Sequence, residues 1–236
     1  MMTVLHVFFG TLALIAAPAA LLVRKGGRWH SRFGFGFILT MAIVLFTAGF
    51  LWQKQGHLFL LPLGTVSGYL IFNGYRVIAR RRRAAPDWLE DRIDLFAAGI
   101  AVAAALGTAY LAATANTPLM FSIRPALVGI AAIAIAFASN DVLGFCSPRS
   151  RHGWLLAHFA GMIAAYISAV TAFAVINAHH VPMMIRWLVP SVTGGALIVG
   201  YTLRYVRFSL AGRRPQNIPG SPVATATAPG HHLIVQ

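Results

Sequence analysis

Acidic residues are nearly missing from this 236-residue chain. It has five, Asp87, Glu90, Asp91, Asp94 and Asp141, against nineteen Lys and Arg. Lysine is scarce as well: Lys25 and Lys54 are the only two. A single cysteine, Cys146, excludes an internal disulfide and any multi-thiolate zinc or iron–sulfur centre within one chain. Charged residues of either sign make up only 10% of the sequence, well under the ~25% of a soluble domain. That is too little polar surface to cover an ordinary water-soluble globule. No Lys or Arg precedes Arg24, so the first apolar run lacks the positive n-region of a secretory signal. It is read as a retained helix, despite the small residues Ala16, Ala17, Ala19 and Ala20 near its end.

What fills the chain is apolar. Hydrophobic residues make up 58% of it and mean hydropathy is +0.72. A bilayer core takes about 20 consecutive apolar residues per helix. Seven such runs are expected at roughly 3–23, 33–52, 57–79, 93–114, 122–144, 154–178 and 185–206. None alternates as a barrel strand would, and a helix satisfies its own backbone in lipid. The expected fold is an all-α integral membrane bundle of seven transmembrane helices over residues 1–210. Residues 211–236, with four prolines among Ser, Thr, Ala and Gly, read as a disordered cytoplasmic tail.

Basic residues cluster in every second gap. Arg24, Lys25, Arg28 and Arg32 follow the first run, Arg76, Arg80 to Arg83 and Arg92 surround the third gap, and Arg149 and Arg151 fill the fifth. Arg204, Arg207, Arg213 and Arg214 follow the last run. Only Lys54, Arg124 and Arg186 fall on the opposite side. The positive-inside rule then puts the N-terminus outside and the C-terminus in the cytoplasm, which requires an odd number of spans. A net charge of +14 spread over span ends points to anionic lipid headgroups rather than nucleic acid. The expected location is a bacterial inner membrane. Asp87, Glu90 and Asp91 are expected on a short interfacial helix opened by Pro86.

Polar residues within the spans fall into two layers. The outer layer holds His6, His57, Asn177, His179 and His180, and the inner layer holds His30, Asn73, Asp94, Asn140, Asp141 and His158. Between them lie only hydroxyls such as Thr11, Ser67 and Thr171, so no carboxylate is expected at the midplane. That disfavours a carboxylate-driven proton pump, which needs ionisable steps across the membrane. On helix six, His158, Met162, Tyr166, Ala169, Phe173 and Asn177 recur every three or four residues. This stripe reads either as a packing seam or as the wall of a polar cavity between helices one, two, three and six. Gly64 and Gly68 form a GxxxG, which permits close helix contact.

Two histidines at one depth on facing helices can hold a b-type haem. His6 with His57 or His179 is the outer candidate pair, and His30 with His158 the inner one. The outer histidines could alternatively bind a divalent metal, but no carboxylate supports them there. Asp141 and His158 invite comparison with a catalytic pair, yet only Ser139 and Ser168 are at hand as nucleophiles, so an enzyme is disfavoured. Three readings stay open: a binding or transport protein for a small molecule or ion, a haem-linked redox protein, and a structural or accessory subunit.

The segment from His6 to Gly10, with the run Arg24-Lys25-Gly26-Gly27-Arg28-Trp29-His30-Ser31-Arg32-Phe33-Gly34, resembles a family of bacterial predicted membrane proteins of unknown function. Trp154 to Met162, Ala165 to Phe173, Asn177 and Trp187-Leu188-Val189-Pro190 resemble the C-terminal half of related members. The resemblance covers most of residues 6–206. It implies a multi-helix membrane fold without an activity, and it picks out His6, His30 and His158.

The charge pattern makes one direct prediction. A reporter active only in the cytoplasm should work when fused after Gln236, and activity there of a reporter that works only in the periplasm would reverse the orientation.

Overall fold

The structure is a computed structural model that describes residues 1–55, 60–82, 88–114, 116, 118–146 and 153–211. The expected tail and His57 lie outside the described residues. Seven α-helices follow one another: α1 (Met2–Leu22), α2 (Arg28–Gln55), α3 (Leu60–Arg82), α4 (Trp88–Thr114), α5 (Pro118–Cys146), α6 (Gly153–Asn177) and α7 (Met183–Ala211).

Most of these helices outrun their apolar cores. α2 starts at Arg28 rather than 33, α3 runs on to Arg82 and α7 to Ala211. Of the expected short interfacial helix, Pro86 and Asp87 lie outside the described residues, and Glu90 and Asp91 fall in the first turn of α4, which is unbroken from Trp88. A helix has no reason to stop where the hydrocarbon stops, because its backbone bonds continue, and long basic side chains reach back to water from its ends. Arg28, His30 and Arg32 therefore sit on helix rather than on loop.

α1 and α2 form a hairpin. Its turn uses Gly26 at φ 74°, a left-handed conformation that costs glycine little. Lys25 closes the C-terminus of α1 by donating from Nζ to the carbonyls of Ala20 and Leu21. Burial lowers the pKa of this ammonium. Arg186 does the same for α6, donating from Nε to Val181 O (2.6 Å) and from Nη1 to Val175 O (2.9 Å). Cations on the last carbonyls of a helix oppose its dipole.

α4 and α5 pair through small residues. The buried face of α4 reads Asp94, Ala98, Ala101, Ala105, Thr108, Ala112, and that of α5 ends in Ala131, Ala134, Ala138, Asp141. Small side chains let membrane helices approach closely, where packing must supply the attraction. Large apolar groups such as Phe46, Phe96, Tyr110 and Leu197 point outward, as a lipid-facing surface requires.

Among the described residues six helices are long and apolar enough to cross a membrane, and α3 falls short. At 23 residues it spans about 35 Å, which exceeds the ~30 Å hydrocarbon core. It falls short only in hydropathy, because Ser67, Asn73, Tyr75 and Arg76 interrupt it. The physical reason is its place. α3 packs against α2, α4, α5 and α6, and Leu63, Val66, Tyr69, Leu70, Ile71, Asn73 and Val77 are all buried. A helix enclosed by protein needs polar partners more than it needs apolarity.

The expected GxxxG is not where α3 meets another helix backbone to backbone. Gly64 and Gly68 meet only the flexible end of Leu45 on α2. α3 and α6 touch instead at Gly74 and Gly161, where a Cβ on Gly161 would lie 3.1 Å from Leu70 O and 3.2 Å from Gly74 Cα. Backbone cannot swing aside, so Gly161→Ala should cost about 1–3 kcal/mol in unfolding experiments in detergent. Gly195→Ala, with nothing within 4 Å, should cost nothing measurable. Equal stability of the two variants would remove the crossing as a constraint.

Candidate functional site

On α3, Tyr69, Asn73, Arg76 and Arg80 recur at four, three and four residues, so they share one face. That face meets Asp94 at the start of the buried stripe of α4 and Asp141 at the end of that of α5. Arg76 holds Asp94 through two bonds, Nε to Oδ1 at 2.5 Å and Nη2 to Oδ2 at 3.2 Å. Such a fork fits a carboxylate in both direction and charge. Arg80 lies between the acids more loosely, with Nε 3.4 Å from Asp94 Oδ2 and Nη2 3.9 Å from Asp141 Oδ1. Tyr69 donates its hydroxyl proton to Asp141 Oδ2 at 2.6 Å.

Both acids are about 95% buried, and the two arginines balance their charge. The six side chains, with Phe72, line a crevice between α3, α4 and α5 that is too tight to admit a water molecule. Asn73, 3% exposed, faces that crevice with its Oδ1 lacking a hydrogen-bond partner among the described residues. A buried carbonyl left without a donor costs about 1–3 kcal/mol.

A second polar group lies on the opposite side of α3. His158 on α6 donates from Nδ1 to Gly74 O at 2.8 Å, and His30 on α2 donates from Nδ1 to Ala20 O at 2.9 Å. A carbonyl only accepts, so Nδ1 carries a proton in both rings, and Nε2 is the nitrogen that this bond leaves unengaged. The ring centroids are 6.4 Å apart, with planes at 82°. The expected inner histidine pair is thus brought together.

In the outer layer His57 lies outside the described residues, and His6 and His179 take separate partners. His6 bonds Thr47 Oγ1 on α2 at 3.0 Å. The ring of His179 is exposed, while its carbonyl takes a bond from Arg186. The Asn177 amide donates to Phe173 O on its own helix. Among the described residues no three His, Cys, Asp or Glu side chains form a metal-holding group.

The helix-six stripe is also offset. The buried face of α6 is Gly161, Ala165, Ser168, Thr171 and Val175, about one residue away from His158, Met162, Tyr166 and Ala169. Phe173 and Asn177 are exposed. Tyr166 packs edge-on against Phe37 of α2, with centroids 6.4 Å apart, so this stripe does not wall one continuous cavity. Asp141 and His158 are not a pair, since one takes Tyr69 and the other Gly74. Ser168 bonds Ser67 across the α3–α6 seam at 2.5 Å, a structural use of both hydroxyls.

The arginines are what sequence reasoning overlooked. Arg76 and Arg80 were counted as flanking charge, although their spacing from Tyr69 and Asn73 already placed all four on one helical face. Compared with protein-family models, curated proteins and solved structures, the chain matches none. No match supports the resemblance to the bacterial family, and the six candidate spans establish a multi-pass membrane protein alone.

Removing one member of a buried ionic network leaves the others uncompensated. Asp94→Asn should therefore lower unfolding stability by about 3–5 kcal/mol, and combining Asp94→Leu with Arg76→Met should recover much of that loss. A single variant that melts like the parent would show that the network contributes little.

Proposed function

We propose that this protein binds or conducts a small polar solute or ion through its membrane domain, with the crevice between α3, α4 and α5 as the polar site. The observation that carries the reading is the Oδ1 of Asn73, without a hydrogen-bond partner among the described residues, inside a network of two carboxylates, two guanidinium groups and a phenol. A network that served packing alone would satisfy its buried acceptors. Ionisable groups inside a membrane bundle mark solute or ion paths by default. The site belongs to α3, α4 and α5 rather than to the quadrant of α1, α2, α3 and α6 expected from the sequence.

In this reading α3 is a seventh span, enclosed by the other six. The N-terminus lies outside, the C-terminus lies in the cytoplasm of a bacterium, and the arginine-rich ends rest on anionic headgroups of the inner membrane. The crevice then lies toward the cytoplasmic face. The carboxylates and the Asn73 carbonyl favour a solute with positive charge or N–H donors, such as ammonium or an alkali cation.

Purified protein in liposomes tests this with sodium, potassium, ammonium, chloride, glycerol and proton gradients as probes. Flux of at least one probe should exceed that of empty liposomes, and Asn73→Leu should reduce it at least tenfold. If no probe crosses and none shifts the melting temperature of the protein in detergent, the reading fails and a structural or accessory role stands.

A further inference from the structure

The histidine pair lies apart from the crevice and has no part in the proposed conduction. Each imidazole is held by a backbone carbonyl of a neighbouring helix, Ala20 O for His30 and Gly74 O for His158. This is the arrangement that orients metal-ligating histidines, with one nitrogen donating to an outer partner and the other free to coordinate. An ion bound at ~2.0–2.1 Å to one nitrogen of each ring would hold two in-line ring centroids about 6 Å apart. The observed separation is 6.4 Å.

Met162 offers a thioether one turn beyond His158 on α6, and it packs on Gly74, the residue whose carbonyl holds His158. Its Cγ and Sδ lie 3.3 and 3.5 Å from the position of a Cβ on that glycine.

The donor set selects the metal. Two imidazoles and a thioether, with no group of three His, Cys, Asp or Glu side chains among the described residues, fall short of the four-ligand shell of a structural zinc site. Soft thioether and imidazole donors suit cuprous copper, whose closed d-shell accepts two or three ligands and whose single charge is the least costly to desolvate. Haem, which brings its own four nitrogens, would take the same two imidazoles as axial ligands, and the test separates the two.

We propose that His30 and His158, with Met162 as a third donor, form a binding site for one cuprous ion in the quadrant between α1, α2, α3 and α6.

The test uses the full chain in detergent, without oxygen, with Cu(I) supplied as its complex with a coloured chelator. The parent should withdraw about one equivalent per chain. His30→Gln and His158→Gln, which keep a side-chain N–H for the carbonyl, should each lose that equivalent while keeping the parent's elution profile and helical circular dichroism. Met162→Leu should weaken binding by less than either. His6→Gln and Cys146→Ser should bind as the parent does. X-ray absorption of the copper-loaded parent supplies a readout independent of any variant, with two imidazole shells and one sulfur expected. The site is overturned if the chelator keeps its copper, if both histidine variants bind like the parent, or if the absorption spectrum shows no imidazole. A Soret band on the purified parent that both histidine variants lose would overturn it in favour of haem.

Discussion

The bundle depends on how closely α6 can approach α3. At Gly74 and Gly161 the two backbones touch, and an approach of that kind is available only to residues without a side chain. The consequences run along the seam in both directions. Toward one end Ser67 and Ser168 come within hydrogen-bond reach. At the crossing the carbonyl of Gly74 becomes available to His158. In lipid the hydrophobic effect does not drive helices together, so packing and such bonds must do so.

Placing α3 inside the bundle also explains its composition. It carries Ser67, Asn73, Arg76 and Arg80, and it is the one helix whose hydropathy falls short of a span. Its neighbours supply what lipid cannot. α4 and α5 bring Asp94 and Asp141 to its arginine face, and α6 brings Ser168 and His158 to the opposite side. The alanines of α4 and α5 belong to the same arrangement, because only small residues let those helices deliver their carboxylates so close to α3.

Much of the fold was legible in the sequence. Seven apolar runs became seven helices, with errors mainly at the ends, where helices continue past the hydrocarbon boundary. His30 and His158, paired in the sequence by expected depth alone, have rings that meet. The offset on α6 was not legible. Phe173 and Asn177 fit a helical period with His158 as well as Gly161 and Val175 fit one with each other, and periodicity alone cannot tell which stripe meets a partner. The ionic network was half legible: Asn73, Asp94 and Asp141 stood out as polar residues inside spans, whereas Arg76 and Arg80 passed as membrane-flanking charge.

By itself the sequence determined the solvent of this protein and the number of its helices. Both follow from local composition, the length of an apolar run and the cost of exposing backbone to lipid. Only the tertiary structure decided which helix lies at the centre, which glycine is the crossing point, and which arginine meets which aspartate. Those outcomes depend on contacts between segments far apart in the chain, such as Tyr69 with Asp141 or Gly74 with His158. Their energies come from shape and from the pairing of buried charge, and neither is a property of any one segment.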